Sequence, residues 1–446
     1  MTAAPRLPAA DLSSACRSSG GFDDLHPPLS SFEAMADSAR CFYCYDAPCV
    51  TACPTSIDIP GFIRRIGQGN AVGAGKTILS ANVMGGTCAR VCPTEELCEA
   101  ACVREKAEGE PVAIGQLQRF ATDALFSAGV QPFTRAASTG KRVAVVGGGP
   151  AGLSCAHALS RAGVEVTVFE ARAKAGGLNE HGLAAYKMTD DFAQREVDFI
   201  LSLGGISIET GKALGRDIAL ADLTSGYDAV FLGIGLGAAN PVGLLGEGLD
   251  GVEAAIDFIE RLRQAKDPIG EISLPDNVVV LGGGNTAVDA AIQARRLGAA
   301  HVTLAYRRGE DQMGATAFEL DLARANGVQV VFWASPTRFV DTAGNGVVGA
   351  VAFEHTVLVD GKLEGTGGTF EVAADLVLKA VGQSMKPLGL EGLTLAKGRL
   401  AVTDYRTSDP KVFAGGDCIH NGTDLTVRAV ADGAKAAEAI LASLAL

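Results

Sequence analysis

Eight of the chain's 11 cysteines fall between Cys41 and Cys102. The first run, CFYCYDAPCVTACP, spaces them C-x2-C-x4-C-x3-C-P. The second, CARVCPTEELCEAAC, spaces them C-x3-C-P-x4-C-x3-C. A cysteine-rich run ending in Cys-Pro, with its last cysteine free to serve another cluster, is an iron–sulfur pattern. Structural zinc prefers paired C-x2-C knuckles, and only Cys41 and Cys44 have that gap. Disulfides belong to oxidising compartments, and no secretion signal is evident. Ordinary core cysteines would not gather so densely. Simple counting assigns four cysteines to each of two [4Fe–4S] clusters.

A second chemistry begins at Lys141. KRVAVVGGGPAGLSCAHALSRAGVEVTVFEAR reads strand, glycine turn, helix, strand, with Gly147, Gly149 and Gly152 in GxGxxG spacing and Glu170 ending the second strand. The first glycine permits the tight turn, the second lets backbone approach a pyrophosphate, and the third lets helix and strand pack closely. Phosphates then meet the positive end of the helix, and Glu170 is placed to bond a ribose. The same grammar returns in NVVVLGGGNTAVDAAIQARRLGAAHVTLAYRRG, with Gly282, Gly284 and Ala287 at the three positions. Its second strand ends in Tyr306, Arg307 and Arg308. An acid there favours an unphosphorylated ribose, whereas an arginine can accept a 2′-phosphate; a solvated arginine pair is the bland alternative. Near the C-terminus, Asp417 in a GGD turn can bond the ribityl or pyrophosphate part of a flavin. No Ser, Cys or His triad stands out among His157, His181, His301, His355 and His420. Hydride transfer needs none, because the cofactors carry the chemistry.

These residues need elements to hold them. Residues 32–125 read as mostly helical with short irregular cysteine loops; PGFIRRIGQGN, AGKTILSANVM and the amphipathic IGQLQRFATDALFSAG are the helical segments. QPFTRAASTGK is a linker. YDAVFLGIGLGA leaves the first nucleotide fold, LVLKAVGQ ends the second, and VFAGGDCIHNGTDLTVRAVADGAKAAEAIL closes the first again. The fold class is therefore α/β: an N-terminal α-helical iron–sulfur domain, then two Rossmann-like domains, the second inserted in the first. The expected boundaries are a loosely ordered arm at 1–31, the cluster domain at 32–138, a flavin domain at 139–239 and 384–446, and a nicotinamide domain at 240–383. At 446 residues there is core enough for these domains. A net charge of -13 argues against nucleic acid or an anionic membrane surface. No apolar run is long enough to span a bilayer, and the arm has no signal-peptide core. A cytoplasmic location is expected. Cys155 reads as a small core residue.

Taken together, CFYCYDAPCVTACPTSIDIPGFI, GGTCARVCPTEELCEAAC, IGQLQRF, GGGPAGL, GGLNEHGLAAYK and GGGNTAVD resemble one family: the NAD(P)H-oxidising part of dihydropyrimidine dehydrogenase, shared with the small subunit of glutamate synthase. The resemblance runs from residue 32 to 446, and DAPC, the following CPT and IGxLQ look closer to dihydropyrimidine dehydrogenase. It implies FAD in the split domain, NAD(P)H in the insert and two [4Fe–4S] clusters. It implies Cys41, Cys44, Cys49 and Cys102 for one cluster, and Cys53, Cys92, Cys98 and Gln118 for the other, leaving Cys88 a spare thiol. It places Gly149 and Ala151 at the flavin pyrophosphate and Glu170 at the ribose. Gly177, Leu178, Lys187, Gly416, Asp417 and Thr426 lie near the same cofactor. For the nicotinamide nucleotide it marks Gly284, Asn285, Thr286, Arg307, Arg308 and Gly382. The NADPH-using animal enzyme has a further arginine where this chain has Gly314, and Glu310 and Asp311 follow the arginine pair; NADH is the expected coenzyme.

The animal enzyme continues into an FMN barrel and a ferredoxin-like tail, whereas this sequence stops at Leu446. The resemblance thus implies the smaller subunit of a bacterial two-chain enzyme. A hydride would pass from NADH to FAD, then single electrons through the clusters to an FMN- and iron–sulfur-containing partner that reduces uracil or thymine, in a hetero-oligomer. A glutamate synthase small subunit, a reductase of free ferredoxin, and a non-enzymatic assembly subunit are the alternatives.

Overall fold

The computed structural model describes residues 21–386 and 388–446, so most of the expected arm lies outside it. The chain forms two compact units. One contains residues 25–180, 190–237 and 385–446; the other contains 21–24, 181–189 and 238–384.

The first unit opens with seven helices: Ser31–Ser38, Pro48–Ala52, Ile59–Gly67, Ala71–Ala81, Gly85–Val91, Val103–Glu108 and Ile114–Ser127. Their starts are written locally. Ser30 and Glu33 form a reciprocal cap on the first. Asp58 Oδ1 accepts the Gly61 amide at 3.0 Å, and Asn70 Oδ1 accepts the Gly73 amide at 2.8 Å. Along Ile59–Gly67, the apolar residues Ile59, Phe62, Ile63 and Ile66 recur at helical spacing and are all buried. Each such side chain contributes about 1.5–3 kcal/mol relative to exposure. Cys49 and Cys88 sit within helices and not in the loops expected around the cysteines.

In the same unit, five parallel strands run in the order Val412–Ala414, Ala229–Leu232, Arg142–Val146, Glu165–Glu170, Ile206–Thr210. Val143 pairs with Val166 and Val145 with Val168. The strand order places the turn after Arg142–Val146 at a central strand, where the chain reverses direction across the sheet. The helices Pro150–Arg161 and Thr426–Ser443 pack tightly: a Cβ on Gly433 would lie 2.1 Å from the Ala151 carbonyl oxygen. Ser154 Oγ donates to the Val430 carbonyl at 2.8 Å.

The second unit holds another all-parallel sheet, ordered Val252–Ala254, Leu376–Lys379, Asn277–Leu281, His301–Ala305, Gln329–Val331. It also holds an antiparallel sheet of Ala334–Val340, Ala350–Val359 and Lys362–Ala373. The last two strands meet at Asp360-Gly361, both at positive φ (50° and 76°), the dipeptide a two-residue hairpin turn favours. Residues 181–189 belong to this unit although strands of the first flank them in sequence. Among the described residues no helix is long and apolar enough to cross a membrane.

Candidate cofactor and cluster sites

Cys41, Cys44, Cys49 and Cys102 line one cavity with Ile59, Ile63 and Ile114. Cys49 rides the proline-started helix Pro48–Ala52, and Cys102 caps the helix Val103–Glu108. Burial raises the Cys41 thiol, and Cys44 and Cys102 add to the rise. Burial pushes Cys49 up to about 11, with Cys102 and Cys41 beside it.

A second set gathers at the end of Gly85–Val91. Cys92 is raised well above its ordinary value by the hydrogen bond its thiol donates to Cys88, then by burial, with Cys98 and Cys53 nearby. Burial also raises Cys98, helped by Glu99 and Cys53. Gln118 is buried and its Nε2 donates to the Gly85 carbonyl at 2.7 Å. Buried, mutually close thiols are costly to ionise in the absence of a positive centre. Iron provides that centre, so both donor sets fit a thiolate-bound cluster. No three His, Cys, Asp or Glu side chains among the described residues converge on one ion.

The flavin cradle is built by the turn after Arg142–Val146. Gly147 has φ +99°, and a Cβ there would lie 2.4 Å from the Gly233 oxygen. A Cβ on Gly152 would lie 1.8 Å from the Gly147 oxygen, so only glycine allows the helix to begin there. Gly149, the N-cap of Pro150–Arg161, faces only the Cα of Gly177, and no side chain caps the helix. Its first amides are left for a phosphate. Ala151 is buried in the first turn. Glu170 Oε2 accepts the Gly148 amide at 2.8 Å, and Oε1 accepts the Arg172 amide at 2.7 Å. It therefore braces the glycine turn and keeps lone pairs for a ribose.

Asp417 follows Gly416, which has φ +77°. Asp417 is mostly buried and its Oδ1 has no hydrogen-bond partner. Burial, with Asp424 adding, pushes its carboxyl up to about 6. An orphaned buried acceptor beside a glycine cradle fits a polar cofactor atom. Thr426 starts the last helix and donates to Asn179 Oδ1 at 3.3 Å, and Leu178 is exposed.

In the second unit, Gly284 has open space where a side chain would stand, and Asn285 Oδ1 is buried without a partner. These fit a nucleotide at the start of the helix Asn285–Arg296, where Thr286 is exposed. Gly382 accepts the Asn240 amide at 3.0 Å. Arg307 is exposed and Arg308 partly so. Glu310 is 2.6 Å from Arg324, so it is engaged away from the arginine pair. The Gly314 amide donates to the Gly283 carbonyl at 2.8 Å, which sets it beside the glycine turn.

Lys187 lies in this second unit, buried between Asp289 and Glu319. Tyr186 OH donates to Asp289 Oδ1 at 2.8 Å. Burial would depress the Lys187 ammonium, but the two carboxylates hold it above its ordinary value. Asp289, Glu319 and the buried Glu196 were not singled out from the sequence. Their signal is a charge on the inward face of an amphipathic helix. His157 is buried against Phe133 and burial lowers it to about 3, so it stays neutral.

Comparison with known proteins follows the same division. Residues 18–130 match the family described as dihydropyrimidine dehydrogenase domain II, 4Fe-4S cluster, and residues 125–433 match pyridine nucleotide-disulphide oxidoreductase. The glutamate synthase [NADPH] small chain of Escherichia coli K12 is 35% identical, covering 94% of this chain and 93% of that protein. The NAD-dependent dihydropyrimidine dehydrogenase subunit PreT of the same organism is also 35% identical, covering 94% and 96%. Among solved structures, Mycobacterium tuberculosis FprA in complex with NADPH superposes with a TM-score of 0.57 at 19% identity, over 68% of this chain and 84% of that one. Lactococcus lactis thioredoxin reductase gives 0.54 at 20%, over 68% and 99%. These likenesses concern the fold. The chain is an FAD-dependent NAD(P)H oxidoreductase, and it belongs to the pyridine nucleotide-disulphide oxidoreductases that carry an N-terminal 4Fe-4S domain, with the glutamate synthase small chains and the PreT subunits.

Proposed function

We propose that this chain is the electron-input subunit of an NAD-dependent dihydropyrimidine dehydrogenase. The observation that carries the reading is that both cysteine sets and the flavin cradle belong to one compact unit. The bound cofactors would supply hydride transfer from NADH to FAD and single-electron transfer through two [4Fe–4S] clusters to an FMN- and iron–sulfur-containing partner that reduces uracil or thymine. The chain's own residues do the holding. Gly147, Gly149 and Gly152 admit the flavin pyrophosphate, Glu170 braces that turn, and Asp417 offers its unpaired oxygen. Cys41, Cys44, Cys49 and Cys102 take one cluster; Cys53, Cys92, Cys98 and Gln118 take the other. Gly282, Gly284, Asn285 and Thr286 receive the nicotinamide nucleotide. The free thiols suit a reducing compartment, which we take to be the cytoplasm.

NADH is favoured because Gly314 offers no cation beside the turn. NADPH is the second reading, since Glu310 is engaged by Arg324 and leaves Arg307 and Arg308 for a 2′-phosphate. Equal identity to a glutamate synthase small chain supports a different partner for the same redox chain. The deciding experiment combines the purified protein with a candidate FMN-containing pyrimidine-reducing chain and follows NADH oxidation with uracil. Coupled loss of both is expected. Coupling only to a glutamate synthase large chain would move the assignment to that enzyme.

A further inference from the structure

Glu196 is fully buried on the helix Phe192–Leu201, which lies in sequence between the strands Glu165–Glu170 and Ile206–Thr210. Its carboxylate is spent on a different element. Oε1 accepts the amides of Gly86 at 2.9 Å and Thr87 at 3.0 Å, and Oε2 accepts the Thr87 hydroxyl. Gly86 and Thr87 are in the first turn of the helix Gly85–Val91, which has no side-chain cap of its own. A Cβ on Gly86 would lie 2.4 Å from Phe192, so glycine lets the two helices meet at this point. Arg90 closes the arrangement: it donates to the Gly86 carbonyl at 3.0 Å, pairs with Asp123 at 2.7 Å and lies 3.5 Å over the Phe192 ring.

The helix that Glu196 holds connects to two candidate cluster ligands. Gln118 grips the Gly85 carbonyl at its start. At its end the Cys92 amide donates to the Cys88 carbonyl at 3.0 Å. A helix of this length spans roughly 10 Å, so its start and its end move together.

We propose that Glu196 is a positioning residue for the cluster bound by Cys53, Cys92, Cys98 and Gln118: it caps the Gly85–Val91 helix so that Gln118 and Cys92 keep their places, and its buried negative charge lowers that cluster's reduction potential. This rests on the ligand set proposed above. A buried carboxylate near a redox centre disfavours the added electron, because Coulomb interactions are weakly screened away from water.

The test compares Glu196→Gln and Glu196→Ala in the full chain, reconstituted with iron, sulfide and FAD. Gln keeps the shape, can accept the amides through Oε1 and meets the Thr87 hydroxyl through Nε2, but carries no charge. Iron content, flavin content and the midpoint potentials of both clusters are read at about pH 8, above the value of about 7 to which burial lifts this carboxyl. Glu196→Ala is expected to lose roughly half the iron, one of two clusters, while keeping FAD. Glu196→Gln should restore the iron and shift one cluster's midpoint upward, leaving the other in place. Full iron retention in Glu196→Ala, equal loss of flavin and both clusters, or an unmoved midpoint in Glu196→Gln would each overturn the proposal. Should Glu196→Ala fail to fold, the Glu196→Gln midpoint decides alone. Absence of a second cluster from the unmutated protein would instead count against the ligand set.

Discussion

Lys187 Nζ lies 2.8 Å from Asp289 Oδ1, and both side chains are buried. Glu319 is the ammonium's second partner, and Tyr186 bonds the same Asp289 oxygen. Breaking a buried pair by removing one partner leaves an uncompensated charge, at a cost of about 3–5 kcal/mol. Lys187→Met should therefore lower the unfolding free energy by about that amount in a denaturant titration. Adding Asp289→Asn and Glu319→Gln should recover part of the loss. A Lys187→Met protein as stable as the original would mean that water reaches these carboxylates.

Cys88 and Gln118 compete for one place in the second cysteine set. On the proposed ligand set, Cys88→Ser should keep both clusters, because that set leaves Cys88 only a hydrogen bond with Cys92. On the same set, Gln118→Leu should lose one cluster, since it removes a proposed ligand and frees the Gly85 carbonyl. Iron and sulfide assays with the visible spectrum distinguish the two. The opposite pattern would return the assignment to four cysteines per cluster.

Arg307 and Arg308 follow the end of the strand His301–Ala305, whose partner Asn277–Leu281 leads into the second glycine turn. Charge-assisted hydrogen bonds contribute about 1.5–3 kcal/mol each. If the pair reads a 2′-phosphate, replacing both by Ala should raise KM for NADPH by roughly tenfold or more and leave NADH unchanged. Equal effects on the two coenzymes would make the pair a solvated strand end or a pyrophosphate contact.

Glu247 supplies a pH signature in the second unit. Burial opposes its ionisation, yet the Lys379 ammonium and the amides of Val242 and Gly243 hold its carboxyl down at about 2, from an ordinary 4.5. A depressed folded value means that the unfolded chain binds more protons in this window. Its contribution is complete above the ordinary value and is lost as pH falls from 4.5 towards about 2. Glu247→Gln should lower stability at neutral pH, where that contribution is fully present, and flatten the fall in stability over that range. A slope identical to that of the unmutated protein would place the acid sensitivity elsewhere.

Much of the fold is legible in the sequence. Gly147 and Gly152 announce a turn because only a residue without Cβ fits there, and that requirement is local. Ile59, Phe62, Ile63 and Ile66 announce a buried face because helical spacing puts them on one side. The antiparallel sheet was missed, although Asp360-Gly361 between alternating runs is its local signal. Cys49 and Cys88 fall in helices although clustered cysteines and glycines depress helix expectation: Pro48 starts the first of these helices, and the second packs on Ile114–Ser127.

The chemistry open to this protein is written locally in its chain: two cysteine runs, two glycine turns and a GGD turn, each a short-range pattern set by backbone sterics and ligand type. Which distant groups meet is a property of the folded chain. It gathered Cys102 with Cys41, Cys44 and Cys49, brought Glu196 to a helix start more than a hundred residues earlier, and lodged Lys187 between Asp289 and Glu319 in the second unit. Such partnerships arise because a buried charge or an uncapped helix must find a partner wherever the fold brings one, and no local spacing encodes where that is.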